Sequence, residues 1–225
     1  YAIKNKWDGI KDIIESVHCT EKILLDKNST GYNLTQLMVG SEGTLGIITK
    51  IIFRLIPLPT KDITMLVPFN SAEKACEAVS AVFRAGITPS ALEFVERDAI
   101  DWTLKYTDIQ MDIHPNVQAH LLIEVDGNNL DMLFSECEKI SDIMYKYECG
   151  EILLADSKDQ KDRLWKMRRA VGEAVKSNSI YKEEDTVVPR ADLAKLLIGV
   201  KEIGAKINWQ TNSGTHVCID IPITS

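Results

Sequence analysis

Apolar residues at Ile3, Trp7, Ile10, Ile14 and Val17 step by four and three, the spacing of one helix face, and predict an amphipathic helix at the start of the chain. Lys22 to Lys27 reads as a short strand, followed by the turn-rich Asn28-Ser29-Thr30-Gly31. Leu37-Met38-Val39, a glycine-bearing stretch from Gly40 to Gly46 and a β-branched run from Ile47 to Leu55 come next. Pro57-Leu58-Pro59 cannot continue a central strand, because neither proline has an N–H to give to the ladder. The domain boundary is placed there, separating residues 1–58 from 59–225.

Beyond the boundary, strands alternate with longer helices. Ile63 to Phe69, Ala91 to Val95, His120 to Val125 and Ile152 to Ala155 are the expected strands. Ser71 is placed to cap a helix whose apolar positions are Ala75, Val79, Val82 and Phe83, with Gly86 as its stop. Leu130, Leu133, Phe134, Cys137, Ile140, Met144 and Tyr147 predict a second helix ending before Gly150, and Lys161 to Lys176 a third. The order of elements, with the middle strands paired as a hairpin, gives an α+β fold: an antiparallel sheet with helices on one face in a ferredoxin-like, split βαβ arrangement.

Composition narrows the class of function. Apolar residues make up 45% and charged residues 26%, a globular balance that argues against disorder. A net charge of −7 disfavours a general nucleic-acid binder, which needs a basic face, but leaves room for a local basic pocket that takes a small anion. No apolar run reaches the roughly 18 residues of a membrane span. The N-terminal residues carry charges throughout, unlike a signal sequence. The five cysteines are odd in number, widely spaced and without a C-x-x-C pair. Buried, reduced thiols in a cytoplasmic protein are the expectation.

The most informative stretch runs from Gly31 to Thr49 and contains Gly40-Ser41-Glu42-Gly43-Thr44-Leu45-Gly46-Ile47-Ile48. Three glycines within seven residues allow a backbone to approach a planar ligand closely, since no Cβ intervenes. The hydroxyls of Ser41 and Thr44 and the loop's N–H groups offer hydrogen bonds to ring carbonyls or phosphates. From spacing alone a tight turn between two core strands is favoured over a ligand loop, because the pattern is neither a dinucleotide fingerprint nor a P-loop. A second stretch, Leu164-Trp165-Lys166-Met167-Arg168-Arg169, places Arg168 on the helix face of Leu164, Val171 and Val175. A guanidinium on an inward face calls for an anion. A ligand carboxylate matches its fork, and so does a structural Glu, or the side chain snorkels to solvent. Arg169, one residue round, is expected at the surface.

These motifs resemble those of the vanillyl-alcohol-oxidase-type flavoproteins, in the branch that holds D-lactate dehydrogenase, D-2-hydroxyglutarate dehydrogenase and the glycolate oxidase flavin subunit. The likeness runs almost unbroken from Lys27 to Pro59 and returns at the L-W-x-x-R element and at Tyr181 to Pro189. It implies FAD as cofactor, with Gly40, Ser41, Glu42, Gly43, Thr44, Gly46, Ile47 and Ile48 against the flavin. Residues 1–58 are then the end of a flavin-binding α+β domain and 59–225 a substrate, or cap, domain truncated at its C-terminus. The implied reaction is oxidation of a D-2-hydroxy acid to a 2-oxo acid, with hydride passing from the carbinol carbon to the flavin. Arg168 would hold the substrate carboxylate, helped by Lys182, for which a surface ion pair with its acidic neighbours is the other reading.

At the third family motif the resemblance fails. Relatives carry Gly-His-x-Gly-Asp-Gly-Asn-x-His, whose histidines bind a divalent metal. This chain reads Asn208-Trp209-Gln210-Thr211-Asn212-Ser213-Gly214-Thr215-His216. His216 fits the second histidine and is the candidate catalytic base, while Trp209 stands in place of the first and has no acceptor lone pair for a metal. A further carboxylate ligand is expected beyond Ser225, so no metal site is assigned. His18, His114 and His120 show no partner spacing and are expected to be structural or exposed. Residues 1–21 match nothing in the family pattern, and the upstream half that wraps the flavin pyrophosphate is not in this sequence. The chain alone is therefore expected to be inactive. The competing function is a catalytically inactive cap-like module that binds a partner or a small carboxylate. A small 2-hydroxy-acid substrate is the expected partner and a homodimer one admissible assembly; the electron acceptor is not readable.

Overall fold

The computed structural model describes residues 34–51, 57–155, 157–178 and 188–207 and the backbone of 219–220. The expected N-terminal helix and the strand at Lys22 to Lys27 lie outside these residues. The chain divides into two compact units, Tyr1–Pro57 and Leu58–Ser225. Among the described residues no helix is long and apolar enough to cross a membrane.

In the first unit a short helix, α1 (Leu34–Met38), leads into the glycine loop. The second unit is built on a five-stranded sheet in the order β4-β1-β3-β2-β5. Its strands are β1 (Lys61–Phe69), β2 (Ala91–Glu96), β3 (Ala119–Gly127), β4 (Leu153–Ala155) and β5 (Ile219–Asp220). Every neighbouring pair is antiparallel, and β1 and β3 run in register from Lys61↔Gly127 to Phe69↔Ala119. The helices between them are α2 (Ala72–Arg84), α3 (Arg97–Tyr106), α4 (Leu130–Lys146) and α5 (Lys158–Asn178), with α6 (Leu193–Lys206) following. With α2 and α4 as crossovers, β1 to β4 form the split βαβ arrangement anticipated from the sequence.

Two expectations need correction. The helices do not keep to one face of the sheet. Ile63, Met65, Val67 and Phe69 of β1 join residues of α2, α4 and α6 in the larger core. On the opposite face, Leu66 and Leu122 pack with Leu164 of α5, and Val95 packs with Ala99 and Ile100 of α3 and Met167 and Val171 of α5. A sheet covered on both faces needs apolar side chains pointing both ways, and Met65 and Leu66 are both buried. The unbroken run Leu121-Leu122-Ile123 records this requirement in the sequence. Secondly, β2 and β3 do pair, yet through α3 and the segment 107–118 rather than a tight hairpin. Helix α3 starts at Arg97 directly from the end of β2, with no turn residue between and no side-chain cap.

Candidate functional site

Helix α5 lies along the sheet through Leu164, Met167, Val171 and Ala174, all buried, a three-four-three spacing that defines its inner stripe. Arg168 and Trp165 flank that stripe and carry polar groups onto the sheet face. Both Nε and Nη2 of Arg168 donate to one oxygen, Oε2 of Glu93 on β2, at 2.9 and 2.8 Å. The two side chains are 16% and 20% exposed, so the pair is largely withdrawn from water and screened less than a surface ion pair. Strand alternation explains Glu93: Leu92 and Phe94 enter the larger core, which turns Glu93 and Val95 toward α3 and α5.

A second contact lies beside it. The indole Nε1 of Trp165 donates to Oε2 of Glu124 at 2.8 Å, and Thr64 Oγ1 donates to the same oxygen at 3.1 Å. Burial pushes the Glu124 carboxyl above the ordinary range, against the lowering effect of those two donors, with Asp62 and Asp126 adding to the rise. Glu93 and Glu124 were not singled out in the sequence. The signal that could have found them is a lone carboxylate within an apolar strand, as in Leu92-Glu93-Phe94 and Ile123-Glu124-Val125.

Arg168 thus faces inward, with Leu164 and Val171 as neighbours, and its carboxylate partner is Glu93. Arg169 is exposed. Lys182, Trp209 and His216 lie outside the described residues. The backbone nevertheless brings one distant segment to β2: β5, which begins three positions after His216 in the sequence, pairs with it at Glu93↔Asp220.

The glycine loop belongs to the first unit. Gly40, Glu42 and Gly43 adopt positive φ of 78°, 49° and 76°. An added Cβ at Gly40 or Gly43 would meet nothing within 4 Å, so both present open backbone, whereas at Gly46 it would press on Met38 Cε at 3.1 Å. The turn is closed by Ser41 N–H to Met38 O (3.2 Å) and Thr44 N–H to Ser41 O (2.9 Å), with Thr44 Oγ1 donating to Ser41 O at 2.6 Å. Val39, Leu45, Ile47 and Ile48 are exposed, and Thr49 Oγ1 is buried without a hydrogen-bond partner among the described residues. Open glycine backbone, an apolar rim and an orphaned hydroxyl fit a flat, polar-edged ring such as a flavin.

Residues 58–219 match the family of FAD linked oxidases, C-terminal domain. The chain is 32% identical to a D-lactate dehydrogenase of Anaerostipes hadrus, over 85% of this chain and 42% of that protein. It is 34% identical to the glycolate oxidase subunit GlcD of Bacillus subtilis, over 81% of this chain and 38% of that protein. Against a D-lactate dehydrogenase of Archaeoglobus fulgidus the identity is 35%, over 75% of this chain and 36% of that protein. The chain thus spans about two fifths of the length of these curated relatives. Among solved structures, an alkyldihydroxyacetonephosphate synthase superposes with a TM-score of 0.52 at 19% identity, covering 81% of this chain and 38% of that one, a likeness of fold. With a family match across the whole sheet and its helices, the chain belongs to the FAD linked oxidases and carries their C-terminal domain.

Proposed function

We propose that this chain serves an FAD-dependent oxidation of a D-2-hydroxy acid to the 2-oxo acid. The observation that carries the reading is the family match over residues 58–219, joined to relatives whose names are D-lactate dehydrogenase and glycolate oxidase. Bound FAD supplies the two-electron acceptor. The loop from Gly40 to Ile48, through Gly40, Ser41, Glu42, Gly43, Thr44, Gly46, Ile47 and Ile48, backs the ring system. Arg168 and Lys182 bind the substrate carboxylate, and His216 takes the hydroxyl proton. The donor set does not fit a metal site, because Trp209 occupies the place of one expected histidine, so the proton goes to His216 itself. The free thiols of Cys76, Cys137 and Cys149 support a cytoplasmic location.

One observation favours a second reading. Arg168 already has a carboxylate partner in Glu93, the arrangement expected if it only fastens α5 to the sheet in an inactive cap-like module. The two readings separate in a flavoprotein that joins residues 1–225 to an FAD pyrophosphate-binding half. Anaerobic D-lactate, glycolate or D-2-hydroxyglutarate should bleach its oxidised-flavin absorbance. Arg168→Ala should slow that reduction by roughly ten- to hundred-fold, the loss of one charge-assisted contact. A bound flavin that none of the three acids reduces would overturn the proposal.

A further inference from the structure

We propose that residues 108–113 form a hinged strap that opens and closes over the sheet face carrying α5, with the Asp108–Lys166 ion pair as its releasable clasp. The segment belongs to the connection from α3 to β3 and crosses that face. Ile109, Met111 and Ile113 are partly buried, while Asp108, Gln110 and Asp112 are exposed, the alternation expected of an extended chain with one apolar side. The inner three rest on the cluster of Val95, Ala99, Ile100, Met167 and Val171. Met111 also packs against Leu66, Leu122, Ala155 and Leu164, so it bridges both apolar clusters of this face.

The fastening differs along the length of the segment. At its start, Thr107 N–H and Oγ1 both donate to Thr103 O, at 2.9 and 2.8 Å, and Asp108 meets Lys166 Nζ at 2.7 Å. Past its end, Arg97 Nη1 donates to His114 O and Val117 O at 3.0 and 3.3 Å, and Gln118 N–H donates to Phe69 O at 2.8 Å. Between these ties, Gln110, Met111, Asp112 and Ile113 make no hydrogen bond among the described residues, so lifting them breaks none. Partly buried apolar contacts alone hold the middle, and such a segment opens at far lower free energy than the whole domain. The clasp is weak by nature. Its ammonium and carboxylate are 55% and 85% exposed, and a pair so open to water contributes little. Lys166 follows Trp165 in the L-W-x-x-R element, so release of the strap uncovers the apolar seam beside that motif. The device concerns access to this face and does not depend on the role given to Arg168.

Three buried methionines provide the test. Met167, 1% exposed, lies in the cluster on which the strap rests, whereas Met65 and Met144, fully buried, lie in the larger core on the other face. Hydrogen peroxide transfers one oxygen to a thioether and leaves as water, and peptide mass spectrometry reads the rate at each methionine. The parent is residues 1–225 with Met111→Leu, a volume-conserving exchange that keeps the apolar contact and removes the strap's own oxidation. In this parent Met167 should oxidise at least about tenfold faster than Met65 and Met144. Low urea should speed those two but barely Met167, because a local opening exposes little surface. Asp108→Asn and Lys166→Ala should each speed Met167 by about two- to fivefold, with no further gain in the double variant, and leave Met65 and Met144 unchanged. Met111→Ala should exceed the Met111→Leu rate at Met167 by roughly tenfold. Met167 keeping pace with Met65 and Met144 at every urea concentration would show that this face opens only with the whole domain, and would overturn the proposal. So would a fast Met167 whose rate ignores the ion-pair variants or Met111→Ala, since another element would then be the one that moves. Should Met111→Ala also speed Met65 and Met144, the domain itself is weakened, and the ion-pair variants alone decide the outcome.

Discussion

His120 sits on β3 opposite Val95 of β2, on the sheet face that looks toward α3 and α5, and is 4% exposed. Its Nδ1 is buried with no hydrogen-bond partner among the described residues. Burial, and to a smaller degree the nearby Arg97 guanidinium, pulls its pKa from 6.5 down to about 4. The unfolded chain therefore takes up a proton on this imidazole at a higher pH than the folded chain does. The sign follows: the contribution of neutral His120 is fully present above pH 6.5 and is lost as the pH falls toward about 4. Chemical denaturation of the wild type at stepped pH should show stability declining across that window, by at most on the order of 3 kcal/mol from this residue. Glu124, raised rather than lowered, acts in the opposite direction, so the difference between wild type and His120→Leu isolates the histidine. His120→Leu should flatten the decline; an unchanged slope would show that His120 keeps its ordinary titration.

At the scale of elements, α2 offers a direct check on how local chemistry starts a helix. Ser71, in extended backbone at φ −134°, accepts from Lys74 N–H at 3.1 Å and donates to Glu73 at 2.7 Å. Ser71→Ala removes that acceptor and should cost about 1 kcal/mol in a denaturation midpoint, while Ser71→Asp, a comparable cap, should restore most of it. No loss in Ser71→Ala would mean that packing of Val79 and Val82, rather than the cap, sets the start of the helix. This element was legible because cap, apolar spacing and the stop at Gly86 agree. Helix α3 was not, because its inner face is Ala99, Ile100 and Thr103, one large apolar residue among small and polar ones, and the Thr103 hydroxyl is absorbed by Ala99 O at 2.7 Å. Helix α6 escaped for the opposite reason. Leu193 and Leu197 are buried, but Ile198 and Ile203 are exposed, so its sequence lacks a polar face to contrast with the inner one. In the site, the inward face of Arg168 could be read from Leu164 and Val171 on the same helix. Its partner could not, since Glu93 lies 75 positions away and pairing across a sheet leaves no periodic trace.

For the molecule as a whole, the remaining question is whether this chain assembles a metal centre from residues distant in sequence. A catalytic site of the zinc type needs three protein ligands around an open position. The sequence offers His216 where one is expected, and Trp209, whose N–H only donates, in the place of another. Neighbouring Asn208 and Asn212 supply neutral amide oxygens, poor substitutes for imidazole on a borderline transition metal. The second unit gives no replacement: among the described residues no group of three or more His, Cys, Asp or Glu side chains is placed to hold an ion. The inward carboxylates are engaged elsewhere, Glu93 with Arg168, Glu124 with Trp165 and Thr64, and Glu96 with Lys201. Outer partners orient and tune ligands that exist; they do not supply missing ones. Elemental analysis of tag-free protein should therefore find zinc, iron and manganese well below one equivalent, before and after dialysis against each ion. One tightly held equivalent that disappears in His216→Ala would show that the segment around Trp209 folds in another register, with a ligand the sequence alignment has displaced.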